Sequence, residues 1–207
     1  MANPRVYLRP PVQLMRPAPA RTLPHEDAMP GGCQYSVKLD GFRGAAFALP
    51  EGPVLQSRTG RDLAPRFPQL AAAIAALPAG AVLDGEIVAW RGVRLSRVDL
   101  ARTAAARARE GVQVRYVAFD VLAVPDARRG CIDVRDLALE ERWGRLTALL
   151  ADVPPPIETI LATRDRATAL TWLRVLPQIG VEGVVVKPLG GAYGGFRWVK
   201  VRGRVAA

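Results

Sequence analysis

The chain has 207 residues, half of them hydrophobic, and carries 29 Lys and Arg against 19 Asp and Glu, a net charge of +10. That length suits one packed domain with at most a small lobe. Two cysteines far apart, Cys33 and Cys131, argue against a disulfide framework or a structural zinc cluster, and Met1 to Pro24 is too broken by prolines for a secretory signal.

No stretch reads as a membrane span, so a soluble, intracellular chain with no membrane partner is expected. The positive surplus points to a polyanionic partner, nucleic acid first. The single histidine, His25, lies in a Pro-rich segment and reads as a solvated loop residue, which disfavours Cys–His catalysis.

Residues 1–32 are Pro-rich and irregular and read as a strap over the domain. Tyr35 to Leu49 reads as strand, Gly-containing turn and strand. Val54 to Ser57 is a further strand, followed by the turn Arg58-Thr59-Gly60-Arg61. Pro68 opens a helix to Leu77, since Pro is favoured in a first helical turn, and Pro78-Ala79-Gly80 ends it. Ala81 to Trp90 is an apolar strand interrupted by Asp84-Gly85-Glu86. Val98 to Arg109 is Ala- and Arg-rich and helical, and Val112 to Val124 is a β-rich run containing Phe119-Asp120. Leu137 to Leu150 has apolar residues at helical spacing. Pro154-Pro155-Pro156 is a rigid connector, and Ala167 to Leu176 is a helix stopped or kinked by Pro177. Val184-Val185-Val186 reads as a buried strand and Arg197 to Val201 as the last one. Strands and helices mix without a regular βαβ repeat, which predicts an α+β fold of largely antiparallel sheets flanked by helices.

Lys38 follows an apolar strand-like stretch and precedes the turn-favouring pair Asp40-Gly41, in Lys38-Leu39-Asp40-Gly41-Phe42-Arg43. Lys-x-Asp-Gly alone is common chance text. Five further segments also place charge beside β-type sequence: Ser57-Arg58-Thr59-Gly60, Asp84-Gly85-Glu86, Phe119-Asp120, Glu182-Gly183-Val184-Val185-Val186-Lys187, and Trp198-Val199-Lys200-Val201-Arg202. Their order and spacing resemble the nucleotidyltransferase motifs of ATP-dependent DNA ligases, most closely bacterial ligases of the end-joining type. The resemblance covers nearly the whole chain and includes Ser57 to Ala72, SRTGRDLAPRFPQLAA. It implies that residues 1–207 form an adenylation domain of the nucleotidyltransferase, ATP-grasp-like fold.

Chemistry explains the residue types. A lysine that attacks the α-phosphorus of ATP must be neutral, yet a free lysine, with pKa about 10.4, is neutral roughly one time in a thousand near pH 7.5. Nearby cations close that gap, which is worth about 4 kcal/mol. The same cations neutralise charge on the phosphoryl oxygens. The product is a lysyl-AMP; in ligases the AMP moves to a DNA 5′-phosphate, and the 3′-hydroxyl at the nick displaces it.

The resemblance carries the remaining roles. Lys38 is the nucleophile, with Lys187, Lys200 and Arg202 as phosphate contacts. Arg43 and Glu86 are ribose-side contacts. Phe119 is the adenine-stacking ring, Val185 covers the opposite face, and Ser36 lies near the adenine edge. Glu182 supports a metal at the α-phosphate, with Asp40 assisting through water; Mg2+ (or Mn2+) suits such hard oxygen ligands. Arg58 is a ligand for the DNA 5′-phosphate. Asp84 and Asp120 are read as fixing turns or bonding locally, and Trp198 as packing. The cluster Arg97, Arg102, Arg107 and Arg109 fits DNA phosphates or a solvated helix face equally.

Two features depart from the ligase pattern. The last motif ends Lys200-Val201-Arg202 where Lys-x-Lys is usual, and arginine changes the hydrogen-bond geometry. The sequence ends five residues after Arg202, so no C-terminal oligonucleotide-binding barrel is expected within it. An excised domain, a natural minimal form, or a subunit whose barrel or end-joining partner is another protein all fit. The expected cofactors are ATP and Mg2+, and the expected substrate is nicked or broken double-stranded DNA in the bacterial cytoplasm, at the nucleoid when acting. An RNA ligase or capping-type nucleotidyltransferase is the nearest alternative. A nonenzymatic nick- or end-binding module is the alternative from another class.

Overall fold

Side chains that alternate along strands divide here between two sheets facing each other across a cleft. The computed structural model describes residues 5–203. In chain order the elements are β1 (Ala18–Pro19), β2 (Cys33–Lys38), β3 (Phe42–Leu49), β4 (Gly52–Ser57), α1 (Pro68–Ala75), β5 (Val82–Arg91), β6 (Arg94–Leu95), α2 (Arg97–Leu100), α3 (Ala104–Arg109), β7 (Gln113–Asp126), β8 (Gly130–Asp133), α4 (Leu139–Leu150), β9 (Ile157–Thr159), β10 (Ala162–Thr163), α5 (Arg166–Val175), β11 (Gly183–Pro188) and β12 (Val199–Arg202).

A seven-stranded sheet runs β4-β3-β5-β7-β8, with β6 on β5 and β9 on β7; a five-stranded sheet runs β1-β12-β11-β2-β10. All pairings are antiparallel except β7 with β9 and β1 with β12. This is the α+β arrangement expected from the sequence.

Burial explains the layering. Phe67, Leu70 and Ile74 near and along α1, and Leu146 and Leu150 on α4, pack on Leu55, Leu83, Ile87 and Tyr116 of the seven-stranded sheet. Ala169 of α5 packs on Tyr35, Val184 and Val186 of the five-stranded sheet. Val37, Val88, Val117, Ile160 and Val181 form the floor between the sheets. Each such aliphatic side chain, fully buried, contributes about 1.5–3 kcal/mol. Local signals set the helix ends. Pro68 occupies the first turn of α1. The Asp165 carboxylate accepts from the Ala167 and Thr168 amides at 3.1 and 2.9 Å, capping α5.

Three expectations are corrected. β5 runs unbroken through Asp84-Gly85-Glu86; the irregularity there is a bulge against β7. The helix expected over Val98 to Arg109 is two, α2 and α3, because the Thr103 hydroxyl accepts from the Ala106 amide at 3.2 Å and starts a new helix. The last strand begins at Val199 rather than Arg197.

Residues 5–32 do run as a strap, burying Val12, Leu14 and Leu23 and adding β1 to the edge of β12; residues 1–4 of the lead-in lie outside the described residues. Among the described residues no helix is long and apolar enough to cross a membrane.

Candidate functional site

Backbone contacts fix Lys38 at the end of β2. Its carbonyl accepts from the Glu182 amide at 2.8 Å. Gly183 lies directly opposite, and Arg202 of β12 lies opposite Gly183. Gly183 has φ +152°, and a Cβ there would stand 2.0 Å from the Val201 carbonyl oxygen, so a larger residue would displace β12. Residues therefore line up in ranks across the sheet: Lys38, Gly183 and Arg202, then Ser36, Val185 and Lys200, then Gln34 and Lys187. Members of these ranks share one face, and that face looks toward the seven-stranded sheet.

The facing sheet presents Arg43, Glu86 and Phe119. Arg43 and Glu86 are cross-strand partners on β3 and β5. Phe119 is the extra residue of the bulge: Gly85 pairs with Ala118 and Asp84 with Asp120, leaving Phe119 between them. A bulge re-aims a side chain, here into the space between the sheets. A Cβ at Gly85 would meet the Tyr116 ring at 2.6 Å and the Val117 carbonyl at 2.7 Å, so glycine permits the close approach of β5 and β7.

The two faces enclose a cavity of about 230 Å3. Ser36, Lys38, Val185, Lys187 and Lys200 line it from one sheet; Arg43, Glu86 and Phe119 line it from the other, with Arg58 from the turn after β4. Lys38 Nζ donates to the Glu182 carboxylate in an ion pair. A lysine pinned at a strand end against a carboxylate opens onto a chamber with an aromatic ring and several cations. That arrangement can seat a nucleotide with its phosphates at the lysine.

Residues 22–202 match the ATP dependent DNA ligase domain family. The chain belongs to that family. DNA ligase C2 of Mycolicibacterium smegmatis is 34% identical over 172 residues, covering 80% of this chain and 47% of that protein. The Multifunctional non-homologous end joining protein LigD of Pseudomonas aeruginosa is 34% identical over 180 residues, covering 83% of this chain and 20% of that protein. The chain spans about half the length of the ligase C relatives it matches. The fold is that of the ligase domain from Mycobacterium tuberculosis LigD, with a TM-score of 0.64 at 23% identity over 90% of this chain and 59% of that one.

Within this ligase domain, charged residues that read as local in the sequence are long-range and buried. Asp84 does not fix a turn. It takes Arg43 Nε and Nη2 at 2.6 Å each, and the Tyr193 hydroxyl donates to it at 2.6 Å. The guanidinium so held lies 4.4 Å from the Phe119 ring. Burial works against the Arg43 charge, but Asp84 more than offsets it and holds the guanidinium's pKa above its usual value. Asp120 does accept locally from the Val121 amide, but its main partner is Arg142, at 2.8 and 3.0 Å with both side chains out of water.

Lys187, expected as a phosphate contact, lines the cavity and turns its ammonium to the backbone of the facing sheet. It is 1% exposed, donates to the Phe119 carbonyl at 2.6 Å, and lies 4.6 and 4.2 Å from the Phe119 and Trp198 rings. Burial pulls its pKa down to about 8. Trp198 is buried and packs edge-on against Phe119 and Tyr193, as its packing role anticipates, while still lining the cavity.

Burial also raises the Glu86 carboxyl to about 7, against the pull of Arg43 and Lys38. The Ser36 hydroxyl donates to the Val185 carbonyl at 3.4 Å. Asp40, Glu182 and Arg202 stand near Lys38 but do not line the cavity. Asp40 is raised by burial and by the neighbouring Glu182 charge, and lowered by Arg97, Lys38 and Arg202.

Of the arginine cluster, Arg107 is buried over Phe67 and Arg102 pairs with Glu110, so neither is free for DNA. Arg109 is exposed. Arg97 reaches the site and pairs with Asp40 at 3.2 Å. Sequence reasoning missed Leu14, Met15, Arg16 and Pro17, which wall the cavity from the strap. Irregular Pro-rich sequence carries no periodic signal for such a role.

Proposed function

We propose that this chain is the nucleotidyl-transferring module of a DNA ligase that takes AMP from ATP on Lys38, passes it to a DNA 5′-phosphate, and seals the nick. The observation that carries this reading is Lys38 paired with Glu182 at one end of a cavity that also holds Phe119, Val185 and Lys200. Adenine fits between Phe119 on one sheet and Val185 on the other, with Ser36 at its edge. Glu86 is placed for the ribose, and Arg43 is turned to Asp84 and acts by fixing Phe119 and the ribose side. Lys200, in the rank next to Lys38, neutralises the α-phosphate, with Arg202 behind it. Glu182 takes one proton from the Lys38 ammonium and so frees its lone pair; as Nζ then forms its bond to the α-phosphorus and the bond to pyrophosphate breaks, the nitrogen sheds its second proton to water.

Asp40 and Glu182 suit Mg2+. They are hard oxygen donors close enough to feel each other's charge. Mg2+ is commonly held by one or two carboxylates with substrate phosphates and water. Such a cation supplies charge neutralisation at the phosphoryl oxygens. Nicked or broken duplex DNA is the substrate, and a barrel domain or end-joining protein is the proposed partner. The family match favours DNA over RNA as the strand to be joined.

The deciding experiment is the intact mass of the protein with and without ATP and Mg2+. A gain of one AMP, reversed by pyrophosphate and lost in Lys38→Ala, is expected. No gain in the wild type, even after a barrel domain is supplied in trans, would sink the reading.

A further inference from the structure

A second cleft, of about 300 Å3, adjoins the nucleotide cavity. It shares Arg43, Arg58 and Glu86 with that cavity and adds Phe42, Thr59 and Arg97 of its own. Arg97 is held in place here. Its Nε lies 3.2 Å from Asp40 and donates to the Gly41 carbonyl at 3.3 Å, and its guanidinium sits 5.6 Å from the Phe42 ring. Arg66 lies over the same ring at 5.5 Å. The Arg97 side chain is still 56% exposed, and its contacts use Nε, leaving Nη1 and Nη2 for a ligand. A guanidinium fixed on an aromatic face with free Nη atoms is preorganised for an anionic oxygen pair.

We propose that this cleft is a phosphodiester subsite in which Arg97 contacts a DNA backbone phosphate next to the one that enters the nucleotide cavity at Arg58. The inference rests on the ligase reading above. Arg58 lines both spaces, so a strand with one phosphate there continues into the adjoining cleft; phosphates recur about every 3.4 Å of axis on each strand. Thr59 and Ser57 line the same cleft with their hydroxyls bonded to each other at 3.3 Å, which leaves one hydroxyl proton of the pair as a further donor. The two acids nearby do not forbid this. Arg97 answers the Asp40 carboxylate through Nε, and Glu86 is held partly protonated near neutral pH.

The test is binding of a fluorescent nicked duplex to the full chain over a range of salt, for the wild type, Arg97→Gln and Arg97→Lys. Loss of one phosphate contact lowers the slope of log K against log salt by about one. Arg97→Gln is expected to show that drop, with affinity weakened roughly tenfold near 0.1 M salt, and Arg97→Lys to keep the wild-type slope. A merely structural role for Arg97 would leave the slope alone, and an unchanged slope in Arg97→Gln overturns the subsite. An unchanged slope with a raised KM for ATP assigns the cleft to the ATP phosphates and overturns it too. If the wild type forms lysyl-AMP but Arg97→Gln keeps its slope, only this inference fails. If the wild type neither forms lysyl-AMP nor binds the nick, the ligase reading fails with it.

Discussion

Arg43 and Asp84 form a two-pronged ion pair, both contacts 2.6 Å, between neighbouring strands, and the Phe119 ring rests against the guanidinium they fix. The Asp84 side chain is fully out of water and that of Arg43 is 16% exposed. Removing one partner of a buried pair leaves the other charge stranded, at a cost of about 3–5 kcal/mol. Asp84→Ala should therefore lower Tm by roughly 10 °C in a chain of this size. Thermal unfolding followed by circular dichroism checks this; a shift of only a degree or two would mean that Arg43 finds another partner.

Glu86 gives a pH signature. Its folded pKa, about 7, lies above its ordinary 4.5, so the folded state binds more protons than the unfolded one between those values. Its contribution to stability is then present below pH 4.5 and fades as pH rises toward 7. The whole effect is at most about 3 kcal/mol. Urea unfolding at pH 5, 6 and 7 should show wild type losing stability relative to Glu86→Gln as pH rises. Parallel curves for the two proteins would contradict the assignment.

Lys187 gives the opposite slope. Burial lowers its pKa from 10.5 to about 8, so between those values the unfolded chain binds more protons and stability rises with pH. Relative to Lys187→Met, wild type should gain stability from pH 8 to pH 10. The same variant removes the donor to the Phe119 carbonyl. Losing a hydrogen bond from a charged donor is worth about 1.5–3 kcal/mol. If half of that reaches the stacking ring, KM for ATP rises about three- to tenfold with little change in kcat. Steady-state adenylation kinetics separate the two parameters.

Gly183→Ala tests the rank that carries Lys38. Its Cβ would stand 2.0 Å from the Val201 carbonyl, so β12 must move, and Lys200 and Arg202 with it. A misplacement of about 1 Å can cost on the order of a hundredfold in rate. Lysyl-AMP formation is expected to fall by about that factor in protein that still shows a folded spectrum. Retained activity would mean that β12 position does not matter to the chemistry.

The strands that build the site were legible because their apolar runs are continuous and Lys38, Glu182, Phe119 and Lys200 sit at strand ends or in β-type text. The sequence could not say which charges are buried. Asp84 meets Arg43 across 41 residues and Asp120 meets Arg142 across 22, and nothing in a local window distinguishes such an aspartate from a turn former. Lys187 follows three valines and reads as a phosphate contact; the packing of Phe119 and Trp198 around its ammonium is visible only in the folded chain. The bulge at Phe119 was hidden for a related reason. It depends on the register between β5 and β7, and Asp84-Gly85-Glu86 suggested a broken strand instead.

The strap that walls the nucleotide cavity also hydrogen-bonds to β12: the Ala18 amide donates to the Trp198 carbonyl at 2.8 Å and the Ala20 amide to that of Lys200 at 2.9 Å. A protease cut between Leu14 and Ala18 would open the cavity to water and loosen the cover on a strand edge able to recruit another molecule. Occupancy of the cavity and resistance of this segment to clipping are therefore linked. A nucleotide resting on Leu14 to Pro17 slows the cut in proportion to its saturation, so limited proteolysis becomes a gauge of ligand binding that needs no turnover.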